Sequence, residues 1–174
     1  GLVMEPVIAR AATSPKRIIF ADGEDERVLR ATQVLLEENL VRPILVGRPA
    51  VIQHRIERFG LTLEIGRDFE IINPESDPRY RDYVALYHSL VGRKGITPDT
   101  ARTHVRTRTT VIAALAVKRG DADAMLCGLQ GRFIYHAEAL KSIIGLRPGI
   151  SDISGLSMLV MQHGVLFLAD TYMH

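Results

Sequence analysis

The sequence predicts an α/β domain of three layers, a mostly parallel sheet with helices on both faces. Three observations carry that prediction. Short strand-like runs, RIIFA at 17–21, PILV at 43–46, DFEII at 68–72 and DAMLC at 123–127, alternate with stretches of helical period. The most apolar of these runs lack polar alternation, as strands of a parallel sheet covered on both sides do. The 174 residues, 47% hydrophobic and 24% charged, form an ordinary globular composition. A chain of this length buries on the order of 70% of its unfolded surface, enough for a core without metals or disulfides.

The elements follow in order. Residues 1–15, with Ala11, Ala12, Thr13, Ser14 and Pro15 and no clear period, read as a linker from something upstream. The strand at 17–21 closes on Asp22-Gly23, and a helix over 24–39 follows, with Val28, Leu29, Val34, Leu35 and Leu36 at helical spacing. PILV is a second strand ended by Gly47, residues 49–59 a helix stopped by Gly60, and residues 68–72 a third strand. The helix at 79–91 carries Tyr80, Tyr83, Val84 and Tyr87 on one face, which reads as core or subunit contact. Thr97, Pro98 and Asp99 are suited to cap, start and charge-match the next helix.

The stretch 107–119 is an apolar helix with Lys118 and Arg119 at its negative end and Gly120 as its cap. A strand at 123–127 runs into Gly128-Leu129-Gln130-Gly131, and a helix over about 133–144 ends at Gly145. Apolar strands at 156–161 and 165–169 close the sequence, with His163-Gly164 as the hairpin turn. With its last residue just past a strand, the sequence reads as a fragment.

Composition excludes several function classes. Lys and Arg number 22 against 20 Asp and Glu, a net charge of +2 with both signs interspersed, so nothing in the charge balance favours nucleic acid. No run is long and apolar enough for a bilayer span or a signal peptide. Cys127 is the single cysteine, which leaves no intrachain disulfide and makes a reducing cytoplasm the default. The histidines at 54, 88, 104, 136, 163 and 174 form no metal-ligand spacing, so no metal is expected in this stretch.

Asp22-Gly23-Glu24-Asp25-Glu26 stands where a dinucleotide fold would place its phosphate loop, yet it puts four carboxylates at a helix start, where they cap rather than bind phosphate. Neither GxGxxG nor GxxxxGK[ST] occurs. The leading ligand-binding candidates are Gly128, Leu129, Gln130, Gly131 and Arg132, since a loop between strand and helix at the carboxyl edge of a parallel sheet offers free amides and an arginine for a phosphate or carboxylate. The plain alternative is a tight connection with an exposed arginine. Arg102 and Arg106, four apart with Arg108 nearby, form either a diphosphate clamp or a solvated basic face. Cys127, without a base at a telling distance, reads as a small buried hydrophobe rather than a nucleophile.

KRIIFADGEDERVLRATQVL, RPILVGRPAVI, DFEIINPESDPRYRDY, RKGITPDTAR, TTVIAALAVKRGDADAMLCG, IGLRPGISDISGLSML and GVLFLADT together resemble the phosphate acetyltransferase-like domain at the C-terminal end of bacterial NADP-dependent malic enzymes. The resemblance covers nearly all of 16–171. It implies the two-lobed αβα form of isocitrate and isopropylmalate dehydrogenases, with residues 16–150 as the first lobe, 151–174 as the start of the second, and the remainder absent. It implies a parent chain that decarboxylates malate oxidatively with NADP and Mg or Mn in a separate N-terminal part, which would be this domain's partner in a homo-oligomer.

The resemblance also implies a departure. Working acetyltransferases are similar to one another in following the loop glycine with small hydroxyl residues and in taking the phosphate with an arginine of the next helix. Here Arg132 and Phe133 stand in the hydroxyl positions and Glu138 in the arginine's. The implied role is regulatory, with no catalytic residue in this stretch and acetyl-CoA as the ligand; an active acetyltransferase and a purely structural oligomerisation module are the alternatives.

Overall fold

A computed structural model describes residues 3–170. Four strands form one parallel sheet in the order β3-β2-β1-β4: β1 (Lys16–Phe20), β2 (Val41–Val46), β3 (Glu70–Ile72) and β4 (Ala124–Leu126). The registers set Phe20 beside both Leu45 and Leu126, and Val46 beside Ile72, so the strands end together along one carboxyl edge.

Strand alternation divides the core. Ile19, Ala21, Ile44, Val46 and Ile72 face a cluster under α4 (Tyr80–Val91), α5 (Pro98–Thr107), α6 (Thr109–Arg119) and α7 (Phe133–Ile143). Phe20 and Leu45 face the opposite cluster, under α2 (Glu26–Glu37) and α3 (Pro49–Arg58). This is the three-layer α/β fold the alternation predicted. In α6 every residue from 110 to 116 is buried, because the helix lies between the sheet and its neighbours; Ala113, Ala114 and Ala116 let them approach. A fully buried Leu29 or Ile52 is worth about 2 kcal/mol over its exposed state. Tyr83 and Tyr87 are buried in the same cluster, so these two members of the tyrosine stripe are core.

Three local expectations need correction. The stretch expected to be a linker contains α1 (Met4–Thr13). Glu5 in its first turn and Arg10 in its last match the helix dipole, and Pro6 falls where an amide needs no partner. Its Met4, Val7 and Ile8 are exposed and no α1 residue is buried, which is why the apolar period was too thin to read. The helix expected over 107–119 begins at Thr109, because Arg108 is extended (φ −114°, ψ 97°) and separates α5 from α6. The final hairpin, β5 (Leu156–Met161) with β6 (Gly164–Ala169), turns at 162–163, and Gly164 pairs with Met161 instead of forming the turn. His174 and the rest of 171–174 lie outside the described residues.

Candidate functional site

The β1–α2 loop at the carboxyl edge is tied down by its own charges. Gly23 donates its amide to the Val46 carbonyl at 3.2 Å, an approach that a side chain would block. Asp25 caps α2 by accepting from the Arg27 amide at 2.8 Å, and the Arg27 guanidinium closes on both carboxylate oxygens at 3.0 and 2.9 Å. That guanidinium holds the Asp25 carboxyl down at about 2. Glu24 accepts from the Arg48 amide and guanidinium, which lowers its carboxyl, while Arg55 donates to the Glu24 carbonyl. Glu26 pairs with Arg30. The carboxylates therefore cap and brace the loop.

The β4–α7 loop is braced as well. Gly128 (φ +102°) and Gly131 (φ +87°) adopt left-handed backbone. The Leu129 amide, expected to be free for a ligand, donates to Asp22 Oδ2 at 3.3 Å. His136 Nε2 lies 2.7 Å from the Gln130 carbonyl and its Nδ1 lies 2.8 Å from the Thr110 hydroxyl. A carbonyl only accepts, so Nε2 carries the proton; in the neutral ring the Thr110 hydroxyl then donates to Nδ1. The Cys127 thiol is pushed up by burial and by Asp22. Cys127 is half-buried and packs against the core, where burial favours its protonated form.

Two clefts open at this edge, and Asp22, Thr107, Thr109 and Gln130 line both. The smaller, about 540 Å³, lies over the acidic loop with Arg48, Arg55 and Arg106. The larger, about 720 Å³, lies between α4, the α5–α6 junction and α7, and includes Lys94, His104, Arg108, Gly131, His136 and Glu138. Its wall holds the Tyr87 hydroxyl 2.9 Å from His104 Nδ1. Burial, reinforced by Arg108, lowers the His104 imidazole below its usual range, and burial raises Tyr87.

The residues singled out in the sequence divide among these places. Gln130 lines both clefts, Gly131 the larger and Arg106 the smaller, while Gly128, Leu129, Arg132 and Arg102 line neither. The arginines do not converge as a clamp. Arg102 pairs with Asp99, Arg106 lies 5.1 Å from the Tyr80 ring centre, and the extended backbone at Arg108 carries it to the other cleft. Arg132 lies over Tyr135. Asp22, Thr110, His104 and His136 were invisible as a group in the sequence, since the β1–α2 loop, the α5–α6 pair and α7 bring them together. Among the described residues no three His, Cys, Asp or Glu side chains gather as a metal site, and no helix is long and apolar enough to cross a membrane.

An open parallel α/β domain has its clefts here, where the strand ends meet two braced loops, the edge at which open α/β folds commonly bind ligands. The chain matches phosphate acetyl/butaryl transferase over residues 2–174 and belongs to that family. It is 57% identical over 99% of its length to an NAD-dependent malic enzyme of Rhizobium meliloti (strain 1021), covering 22% of that protein. It is 42% identical over its whole length to an NADP-dependent malic enzyme of Escherichia coli (strain K12), covering 23%. A phosphate acetyltransferase of Nitratidesulfovibrio vulgaris (strain ATCC 29579 / DSM 644 / CCUG 34227 / NCIMB 8303 / VKM B-1760 / Hildenborough) is 29% identical over 94% of the chain, which covers 23% of it. The chain thus spans about a fifth of the length of the curated relatives it matches.

Among solved structures, the EutD phosphotransacetylase from Staphylococcus aureus superposes with a TM-score of 0.80 at 23% identity, over 97% of this chain and 50% of that one. A phosphotransacetylase from Streptococcus pyogenes gives 0.79 at 26% identity, with the same coverage. The fold expected from the resemblance is the fold found, and the malic-enzyme branch is supported. Relatives named for NAD and for NADP both match.

Proposed function

We propose that this chain is the phosphate acetyltransferase-like regulatory module at the C-terminal end of a malic enzyme, binding acetyl-CoA without transferring its acetyl group. The rest of such a polypeptide would oxidise malate to pyruvate and CO2 with NAD or NADP and Mg or Mn. Acetyl-CoA would bias that activity by differential affinity for two states of a homo-oligomer. The observation that carries the reading is the 57% identity to a malic enzyme, joined by Glu138 on the wall of the larger cleft. A carboxylate facing acetyl phosphate repels it where catalysis needs it held.

Two assays on the complete polypeptide test this. Acetyl-CoA with inorganic phosphate is expected to give no acetyl phosphate above the uncatalysed background, and Glu138→Arg removes the repulsion. Acetyl-CoA is expected to lower malate-dependent reduction of the dinucleotide. Acetyl phosphate formed at ordinary enzymatic rates by the natural protein would establish the alternative, an active acetyltransferase domain. The exposed apolar hairpin supports a further alternative, a structural oligomerisation module. An intact oligomer that releases no heat on titration with acetyl-CoA from micromolar to millimolar would favour it.

A further inference from the structure

The larger cleft carries Glu138, yet it is not a wholly acidic cleft. Arg108 and Lys94 line it as well, against the two acids Asp22 and Glu138. Arg17, Arg27, Arg48 and Arg79 each hold a carboxylate in an ion pair. Arg108 forms none among the described residues, and the Lys94 ammonium donates only to the neutral Ser142 hydroxyl there, at 3.1 Å. The Tyr87–His104 pair beside Arg108 offers no negative charge, since Tyr87 is held protonated.

The position of Arg108 also opposes folding stability. It occupies the N-cap of α6 without a side-chain cap bond, and the first turn of that helix has no acidic residue. A cation there faces the positive end of the helix dipole, whereas the basic residues Lys118 and Arg119 sit at the favourable end. An exposed guanidinium with no ion pair among the described residues, against the dipole, on the wall of a 720 Å³ cleft has the arrangement needed by a ligand that brings its own negative charge.

We infer that Arg108, with Lys94, anchors the phosphate-bearing end of the ligand in this cleft. Val91, Ile96 and Ala139 give the same cleft an apolar wall for an uncharged arm. The inference deepens the acetyl-CoA reading and rests on it for the ligand's identity, though not for the anionic chemistry.

The test is calorimetric titration of the complete polypeptide and of Arg108→Ala, Arg108→Lys and Lys94→Ala. The probes are acetyl-CoA, S-acetyl-pantetheine, which lacks phosphate, and inorganic pyrophosphate. Arg108→Ala is expected to weaken acetyl-CoA about 10- to 100-fold, the loss of charge-assisted hydrogen bonds, with Arg108→Lys and Lys94→Ala intermediate. S-Acetyl-pantetheine should bind all four proteins alike, and the melting temperature of Arg108→Ala should hold or rise. Acetyl-CoA binding within twofold of the natural protein in Arg108→Ala overturns the inference and leaves the regulatory reading standing. If the natural protein binds no acetyl-CoA, the regulatory reading falls and pyrophosphate decides. Its loss in Arg108→Ala sustains the anionic subsite, and pyrophosphate binding that is absent or unchanged overturns it.

Discussion

Arg27 closing on Asp25 is the clearest case of one residue fixing another's charge at this edge. The Asp25 carboxyl lies at about 2 against an ordinary 3.8, first because of the Arg27 hydrogen bonds and then its backbone amide. A depressed carboxyl stabilises the fold above its unfolded value and loses that contribution as pH falls through the folded one. The Asp25 side chain is largely covered while that of Arg27 is 64% exposed, so solvent screening reduces the contribution to about 1–2 kcal/mol. Asp25→Asn keeps a capping oxygen and removes the charge. Urea unfolding is expected to show that deficit at pH 7, narrowing below about pH 4 and closing near 2; a pH-independent deficit would mean that shape rather than charge is lost. The sequence made the capping role of this loop legible, because four acids at a helix start have a local explanation. The Arg48 and Arg55 contacts to Glu24 were not legible, since they reach across 24 and 31 residues.

Elements meet through glycines of two kinds. At Gly23 an added Cβ would lie 2.6 Å from the Val46 carbonyl oxygen and 2.9 Å from the Val46 amide nitrogen, backbone atoms of the neighbouring strand that cannot turn aside. At Gly120, which caps α6 with φ +85°, a Cβ meets nothing within 4 Å, and only left-handed backbone strain opposes it. Gly120→Ala is therefore expected to destabilise by about 1 kcal/mol and Gly23→Ala by about 1–3 kcal/mol, separating β1 from β2 at the site. Chemical denaturation of the two variants checks the order, and an equal or reversed pair would remove the steric account. Gly120 announced itself in the sequence after Lys118 and Arg119. Gly23 was visible as a turn but not as a contact, because nothing local encodes the strand it touches. The boundary between α5 and α6 was legible to within two residues, expected at 107 and found at Arg108, but the extended backbone there was not.

At the scale of the molecule, the two cores lie on opposite faces of the sheet, and the final hairpin belongs to neither. Met158 and Phe167 face each other across it, 47% and 59% exposed, with Leu156, Leu159 and Leu166 also in solvent. A two-sided apolar ribbon of this kind promotes association. Sedimentation of the 174-residue chain is expected to show self-association. Met158→Lys with Phe167→Glu, opposite charges directly across the strands, should reduce it while moving the unfolding midpoint by no more than about 0.5 kcal/mol, since neither residue contributes to a core. A large loss of stability would mean that the ribbon packs on the domain.

The sequence by itself determined the layer order, the strands, the caps of α5 and α6 and the family, because each is written in patterns a few residues long or in motif blocks of one chain segment. Only the tertiary structure decided which loop amides were already taken, that Thr110, His136 and Gln130 form one connected brace, and that Arg108 parts from Arg102 and Arg106 to line a different cleft. Those outcomes depend on which helices share a face of the sheet, and a hydrogen bond between residues 26 or 107 positions apart leaves no periodic trace along the chain.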